Sequence, residues 1–190
     1  MKIAILAIQG DYAAHAAMLD RLGVMHSYVR RPEDLKDADA IILPGGESTT
    51  HLKVMKEEGL FGALKEFALN GGAFFGTCAG AILLAKDVNG PSQESLGLLD
   101  ISILRNGYGR QLSSEIHTGV TKLRKEPLEM VFIRAPVIQS VGAGVETLAE
   151  DAGHPVLVRQ GRIMACTFHP ELTTDTTVHE HFLKIADGRA

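Results

Sequence analysis

The sequence is short of the features that would set it apart from ordinary globular enzymes. It has two cysteines among 190 residues, far apart and without a C-x-x-C pair. That excludes a disulfide framework and points to a reducing compartment, the cytoplasm. It also lacks any run of about 18 apolar residues. The opening stretch Met1–Ile8 resembles a secretory h-region only in composition; it is short, Gln9-Gly10-Asp11 ends it, and it reads as a buried first strand. There is no excess of positive charge: a net charge of −4 gives no reason to expect nucleic acid or an anionic membrane as partner. Pro44-Gly45-Gly46 is not followed by Gly-Lys-Ser/Thr, so a Walker-type phosphate loop is a poor reading. Repeats, low-complexity tracts and linkers are missing too, and Pro91-Ser92-Gln93-Glu94-Ser95 amounts to a surface loop. With 45% hydrophobic and 22% charged residues, the chain can bury a sizeable core without disulfides or metals, as a single domain over residues 1–190.

What is present begins with continuous apolar runs. Ile3–Ile8, Ala40–Leu43 and Ala73–Phe75 do not alternate, which suits parallel strands covered on both faces. Helical stretches at Tyr12–Leu22, Thr49–Glu57 and Leu60–Leu69 separate them, and a short strand at Met25–Val29 precedes Pro32. This order predicts an α/β fold, an open and mostly parallel sheet with helices on both faces and right-handed crossovers. The site then lies beyond the carboxyl ends of the strands. Three loops leave strands there: Gln9-Gly10-Asp11, Pro44–Ser48 and Gly76–Gly80. The second half instead carries short strand candidates at Ser102–Leu104, Glu115–Val120, Met130–Ile133, Val145–Leu148, Val156–Arg159 and Ile163–Phe168. Gln160-Gly161 joins the last two as a hairpin, and a helix over Thr176–Ala186 closes the chain.

The chemistry centres on Gly76-Thr77-Cys78-Ala79-Gly80, directly after the strand Ala73–Phe75. It reads as a sharp strand-to-helix elbow with the nucleophile Cys78 at its apex, where flanking glycines let the turn close. A helix N-terminus also favours negative charge on sulfur. Cys166, inside Ile163–Phe168, reads instead as a buried, inert cysteine. Phe168-His169-Pro170-Glu171 supplies a base and a carboxylate; on an extended strand end, residues two apart point to the same side, so Glu171 can orient the His169 ring. Oxyanion donors are expected from the Ala79 N–H and from the Gly45-Gly46 turn. Taken alone, Arg105, Arg110 and Arg134 would be ordinary surface charge. His179 and His181 fall on different faces of the terminal helix, and no metal site is expected.

Gly76–Gly80 together with Phe168–Glu171 closely resembles the class I, triad-type glutamine amidotransferases, whose flavodoxin-like fold matches the α/β reading with added antiparallel strands in the second half. Within them, Leu43–Thr50, Arg105-Asn106-Gly107-Tyr108-Gly109-Arg110-Gln111, Phe132–Pro136 and Gln9-Gly10-Asp11 followed by His15 resemble the glutaminase subunits of pyridoxal 5′-phosphate synthase. The resemblance implies a Cys78–His169–Glu171 triad that hydrolyses L-glutamine. It implies a glutamine-contacting loop at Gly46, Glu47 and Ser48, oxyanion donors at Gly46 and Ala79, a second substrate position at Arg105, and a pocket-closing segment at Ile133-Arg134. Glutamine's α-carboxylate then falls to an arginine or backbone donors and its α-ammonium to Glu47. Also implied is a (β/α)8 synthase subunit as partner in a large hetero-oligomer, which receives the ammonia and whose docking activates the glutaminase, with Gln9 as a reporter of docking. Thioester chemistry calls for no cofactor. The glutaminase of another amidotransferase, such as imidazole glycerol phosphate synthase, and a catalytically silent docking module are the alternatives; the Arg105–Gln111 and Phe132–Pro136 motifs argue against the first and the intact triad against the second.

Overall fold

The computed structural model describes residues 1–107 and 115–189. Its first half alternates strands and helices: β1 (Ile3–Leu6), α1 (Tyr12–Arg21), β2 (His26–Val29), β3 (Ala40–Leu43), α2 (Ser48–Glu57), α3 (Leu60–Leu69), β4 (Ala73–Thr77) and α4 (Ala79–Leu84). The second half is mostly strands: β5 (Ala85–Asn89), β6 (Leu99–Leu104), β7 (Glu115–Gly119), β8 (Leu128–Phe132), β9 (Val137–Val141), β10 (Glu146–Asp151), β11 (His154–Gln160) and β12 (Ile163–Cys166), closed by α5 (Thr177–Ala186).

A seven-stranded sheet in the order β10-β11-β12-β4-β3-β1-β2 organises these elements. The pairs from β2 through β12 are parallel, and β11 and β10 extend that edge antiparallel. A smaller sheet, β5-β6-β9, and the β7–β8 hairpin complete the fold.

The unbroken apolar runs are explained by two cores, one on each face of the sheet. Ile3, Ile5, Ala40, Ile42, Ala73 and Phe75 face one side, with Leu19 of α1 and Val178 and Phe182 of α5. Ala4, Leu6, Ile41, Leu43 and Phe74 face the other, with Met55, Leu60 and Leu64 of α2 and α3 and all the large residues of α4. Alternation is therefore intact in space, although both sets are buried and the sequence shows no polar phase. Each of the larger side chains (Ile, Leu, Val, Met, Phe) contributes roughly 1.5–3 kcal/mol on burial.

Several expectations need correction. The first strand stops at Leu6 rather than Ile8, and the last at Cys166 rather than Phe168. Strands β5 and β9 were not foreseen; β5 (Ala-Lys-Asp-Val-Asn) carries two charges and a register shift between Ala85 and Asp87, which breaks any alternation. His169 and Glu171 do not sit on a strand end: Pro170–Leu172 form a 3₁₀ turn, and that turn brings the two side chains together.

Candidate active site

The site is assembled at the carboxyl ends of β1, β3, β4 and β12. At the end of β4 the chain reverses into α4, and Cys78 takes the strain with φ 48° and ψ −101°. The flanking glycines serve close packing rather than unusual dihedrals. A Cβ on Gly80 would lie 1.9 Å from the Leu43 carbonyl oxygen, and one on Gly76 would lie 2.6 Å from the Gly80 backbone. Only a bare helix start fits against β3, and this sets the height of Cys78 above the sheet. The Cys78 N–H donates to the Cys166 carbonyl across the sheet at 2.9 Å. Ala79, the first residue of α4, has no intrahelical acceptor for its N–H, as an oxyanion donor requires.

His169 leaves β12 by way of Thr167 and Phe168 and is anchored by its backbone N–H to the Val131 carbonyl at 2.8 Å. Its Nδ1 lies 2.8 Å from Glu171 Oε1, which leaves Nε2 for the sulfur. Both residues are buried, His169 to 3% exposure and Glu171 to 6%. Burial by itself lowers the His169 imidazolium, but side-chain hydrogen bonds with Cys78 and then Glu171 outweigh it, and the ring is pushed up to about 10. Burial pushes the Glu171 carboxyl up, against the opposing pull of His169. Cys166 is the contrasting thiol: fully buried, its Sγ donates to the Phe168 carbonyl, and burial above all raises it well beyond the ordinary thiol range.

A cavity of about 90 Å³ opens on Cys78 and is lined by Gly46, Glu47, Ser48, Ala79, Arg105, Ile133 and Arg134, which gathers every substrate and oxyanion position expected from the sequence. Ile82 and Asn106 also line it. Neither has a signal of its own in the sequence: Ile82 lies in the short apolar helix after the elbow, and Asn106 is one position of the Arg105–Gln111 motif. Arg105 Nη2 lies 3.5 Å from Glu47 Oε1, placing a cation and an anion side by side at the mouth. The Arg105 Nε is buried without a partner among the described residues, so it can still donate to a bound anion. The Ile133 carbonyl lies 4.0 Å from Cys78 Sγ, and Arg134 adopts φ 44°. Tyr108, Gly109, Arg110 and Gln111 lie outside the described residues.

The Pro44–Ser48 loop is locked from below. Gly46 adopts φ 143°, and a Cβ on Gly45 would lie 2.4 Å from His169 Cε1, so the loop rests directly on the His169 ring. Gln9 holds the loop from the side: its Oε1 accepts the Glu47 N–H at 2.9 Å, while its own carbonyl lies 2.9 Å from His51 Nε2. The supposed surface loop contributes as well, because Gln93 accepts the Ser48 hydroxyl at 2.9 Å. Asp11, His169 and Glu171 present atoms within 4.8 Å of one another that a metal ion could use. Filling that site would take His169 Nδ1 from Glu171, so the group belongs to the His–carboxylate pair.

A doubly wound sheet with a cysteine elbow beside a buried histidine–glutamate pair defines the class: an α/β amidotransferase of the class I type. The chain belongs to the SNO glutamine amidotransferase family, whose model matches residues 5–187. It is 54% identical over 97% of its length, and 95% of the relative's, to the pyridoxal 5′-phosphate synthase subunit PdxT of Koribacter versatilis. With the protein of that name from Thermotoga maritima it shares 48% identity over 97% of this chain and 99% of the relative. A crystal structure of a glutamine amidotransferase superposes with a TM-score of 0.92 at 45% identity, covering 97% of this chain and 98% of that one. The structure of PurLQS from Thermotoga maritima, at 17% identity and a TM-score of 0.70 over 96% of this chain and 97% of that one, shares the fold.

Proposed function

We propose that this chain is the glutaminase of a pyridoxal 5′-phosphate synthase: it hydrolyses L-glutamine to L-glutamate and ammonia on Cys78 and passes the ammonia to a (β/α)8 synthase subunit. The observation that carries this reading is the continuity from Glu171 through His169 to Cys78, with Cys78 facing a cavity that has Arg105 and Glu47 at its mouth. In this reading Arg105 takes the α-carboxylate of glutamine and Glu47 its α-ammonium, which directs the side-chain amide toward the sulfur. Cys78 Sγ, its proton already held by His169, bonds to the amide carbon, and the oxygen's developing charge is met by the N–H groups of Ala79 and Gly46. His169, resting as the imidazolium, gives its proton to the departing nitrogen; the C–N bond breaks and ammonia leaves a thioester. Neutral His169 then takes a proton from water as water attacks the carbonyl, the C–S bond breaks, and glutamate is released. The whole chain acts as one amidotransferase domain, in the cytoplasm, within a hetero-oligomer. Among the described residues, no helix is long and apolar enough to cross a membrane.

Activation by the partner has a physical handle. The peptide that must supply the Gly46 donor is held through the Glu47 N–H by the Gln9 side chain, and a glycine at φ 143° can rotate at little steric cost. Contact of the synthase with Gln9 then sets the alignment of the oxyanion site. Glutamine turnover by the chain alone and after addition of the synthase tests the reading. Low activity alone and a clear rise on mixing are expected, and Gly46→Val should block the rise while the subunits still bind. Turnover that is equal with and without the synthase contradicts the gating and leaves the triad standing; no turnover under either condition contradicts the function.

A further inference from the structure

Behind the triad, away from the substrate cavity, two fully buried histidines continue the line of polar groups. His15 of α1 lies with Nδ1 3.0 Å from Nε2 of His179 on α5, and with its own Nε2 3.1 Å from Thr77 Oγ1 and 3.5 Å from Glu171 Oε1. The remaining nitrogen, His179 Nδ1, is buried and has no partner among the described residues. One proton sits between the two rings, so the pair has two possible polarities. If His15 Nδ1 donates, His179 must carry its proton on Nδ1, where nothing accepts it, and the bare Nε2 of His15 faces the Glu171 carboxylate. If His179 Nε2 donates, the unpartnered atom is a lone pair rather than an N–H, and His15 presents an N–H to Thr77 and Glu171. The second polarity avoids a buried orphan donor at one end and a lone-pair clash at the other.

We propose that His15, fixed in its Nε2–H tautomer by His179, is a positioning residue that keeps Glu171 ionised and aimed at His169. The idea rests on the reading of Glu171 as the group that orients His169. Glu171 needs such help. Among the described residues, His169 is the one cationic group facing it, helped by the Glu171 backbone N–H; Asp11, at the end of β1, opposes its charge; Cys78 and Cys166 lie at the neighbouring strand ends; and its Oε2 has no partner there. The histidines suit the role because they are neutral. Burial, with His179 and His169 adding to it, holds His15 well below its ordinary value, and burial holds His179 at about 3. A neutral N–H donor steadies the carboxylate without competing for the position of the His169 proton.

The tautomers can be read directly in the free, full-length chain from long-range proton–nitrogen correlations of the histidine rings at neutral pH. Both His15 and His179 should be neutral with the proton on Nε2; a proton on His15 Nδ1 overturns the proposal. The functional arm compares His15→Phe with His15→Gln, which keeps a donor near the Nε2 position, in the complex with the synthase. For His15→Phe the acid limb of kcat should move up by about one unit, a tenfold loss at the foot of the limb, with KM little changed. His15→Gln should restore most of the wild-type profile. An unshifted limb in folded His15→Phe, or equal shifts in both variants, overturns it as well. Because ring tautomers are read without turnover, failure of the glutaminase reading and failure of this assignment give separate results.

Discussion

The ends of β4 and β12 lie side by side, with Thr77 paired in register to Cys166, and each carries a cysteine. The two are almost equally buried, Cys78 to 7% exposure and Cys166 to 0%. What separates them is what the chain does next. After β4 it turns at a strained φ into a glycine-bearing helix that lifts Cys78 over the cavity. After β12 it runs on through Thr167 and Phe168, and the Cys166 thiol stays beneath the sheet's end, donating to the Phe168 carbonyl. In the proposed reading, one strand end thereby delivers the nucleophile and its neighbour the base, with a second cysteine left as packing. On that reading burial does not separate the reactive thiol from the inert one; backbone direction and access to the imidazole do.

The sharpest way to break the comparison is to exchange the fates of the two sulfurs. Cys78→Ala should lower glutamine hydrolysis by the complex by about 10⁴-fold or more. Cys166→Ala should leave kcat within about twofold and cost about 1 kcal/mol of stability from the lost sulfur volume. Steady-state kinetics and denaturant unfolding of the two variants check this.

Next in size is the base. Glu171→Gln keeps the shape and a hydrogen bond but removes the charge that supports the imidazolium, and kcat should fall by about 10²–10⁴-fold. The carboxylate raises His169, so its loss lowers His169 from about 10, and the alkaline limb of kcat should move to lower pH. A pH–rate profile of this variant reads both effects.

The smallest effect tests the elbow itself. Gly80→Ala gains about 1 kcal/mol of helix propensity. It also places a Cβ 1.9 Å from the Leu43 carbonyl oxygen, which is backbone and cannot step aside. Overpacking of this kind costs about 3 kcal/mol and wins. Thermal unfolding should show a net loss, and kcat should fall as Cys78 is displaced.

Much of this was legible because the first half is written in long, uninterrupted signals. The apolar run of β3 and the whole of α3 appear with their observed limits, and the glycine spacing around Cys78 marks the elbow without any knowledge of the fold. The second half is harder for physical reasons. Strand β9 follows Pro136 and leaves Gln139, Ser140 and Val141 exposed, so it lacks an apolar phase. The pairing of His169 with Glu171 was legible, but its cause was not, since a 3₁₀ turn and a strand end both bring residues two apart together. His15 and His179 are 164 positions apart, and no local spacing links them. Only the sheet, with α1 and α5 on the same face, brings the two rings together beneath Glu171.

The central claim is that position at the β4 elbow, and not thiol chemistry in general, makes Cys78 the reacting group. Its most direct test is labelling of the chain, mixed with its synthase partner, by an electrophilic analogue of glutamine, followed by peptide mass spectrometry. The account predicts one label per chain, on Cys78, that excess glutamine prevents, with Cys166 unmodified. A label on Cys166, or one on Cys78 that glutamine does not prevent, would contradict it.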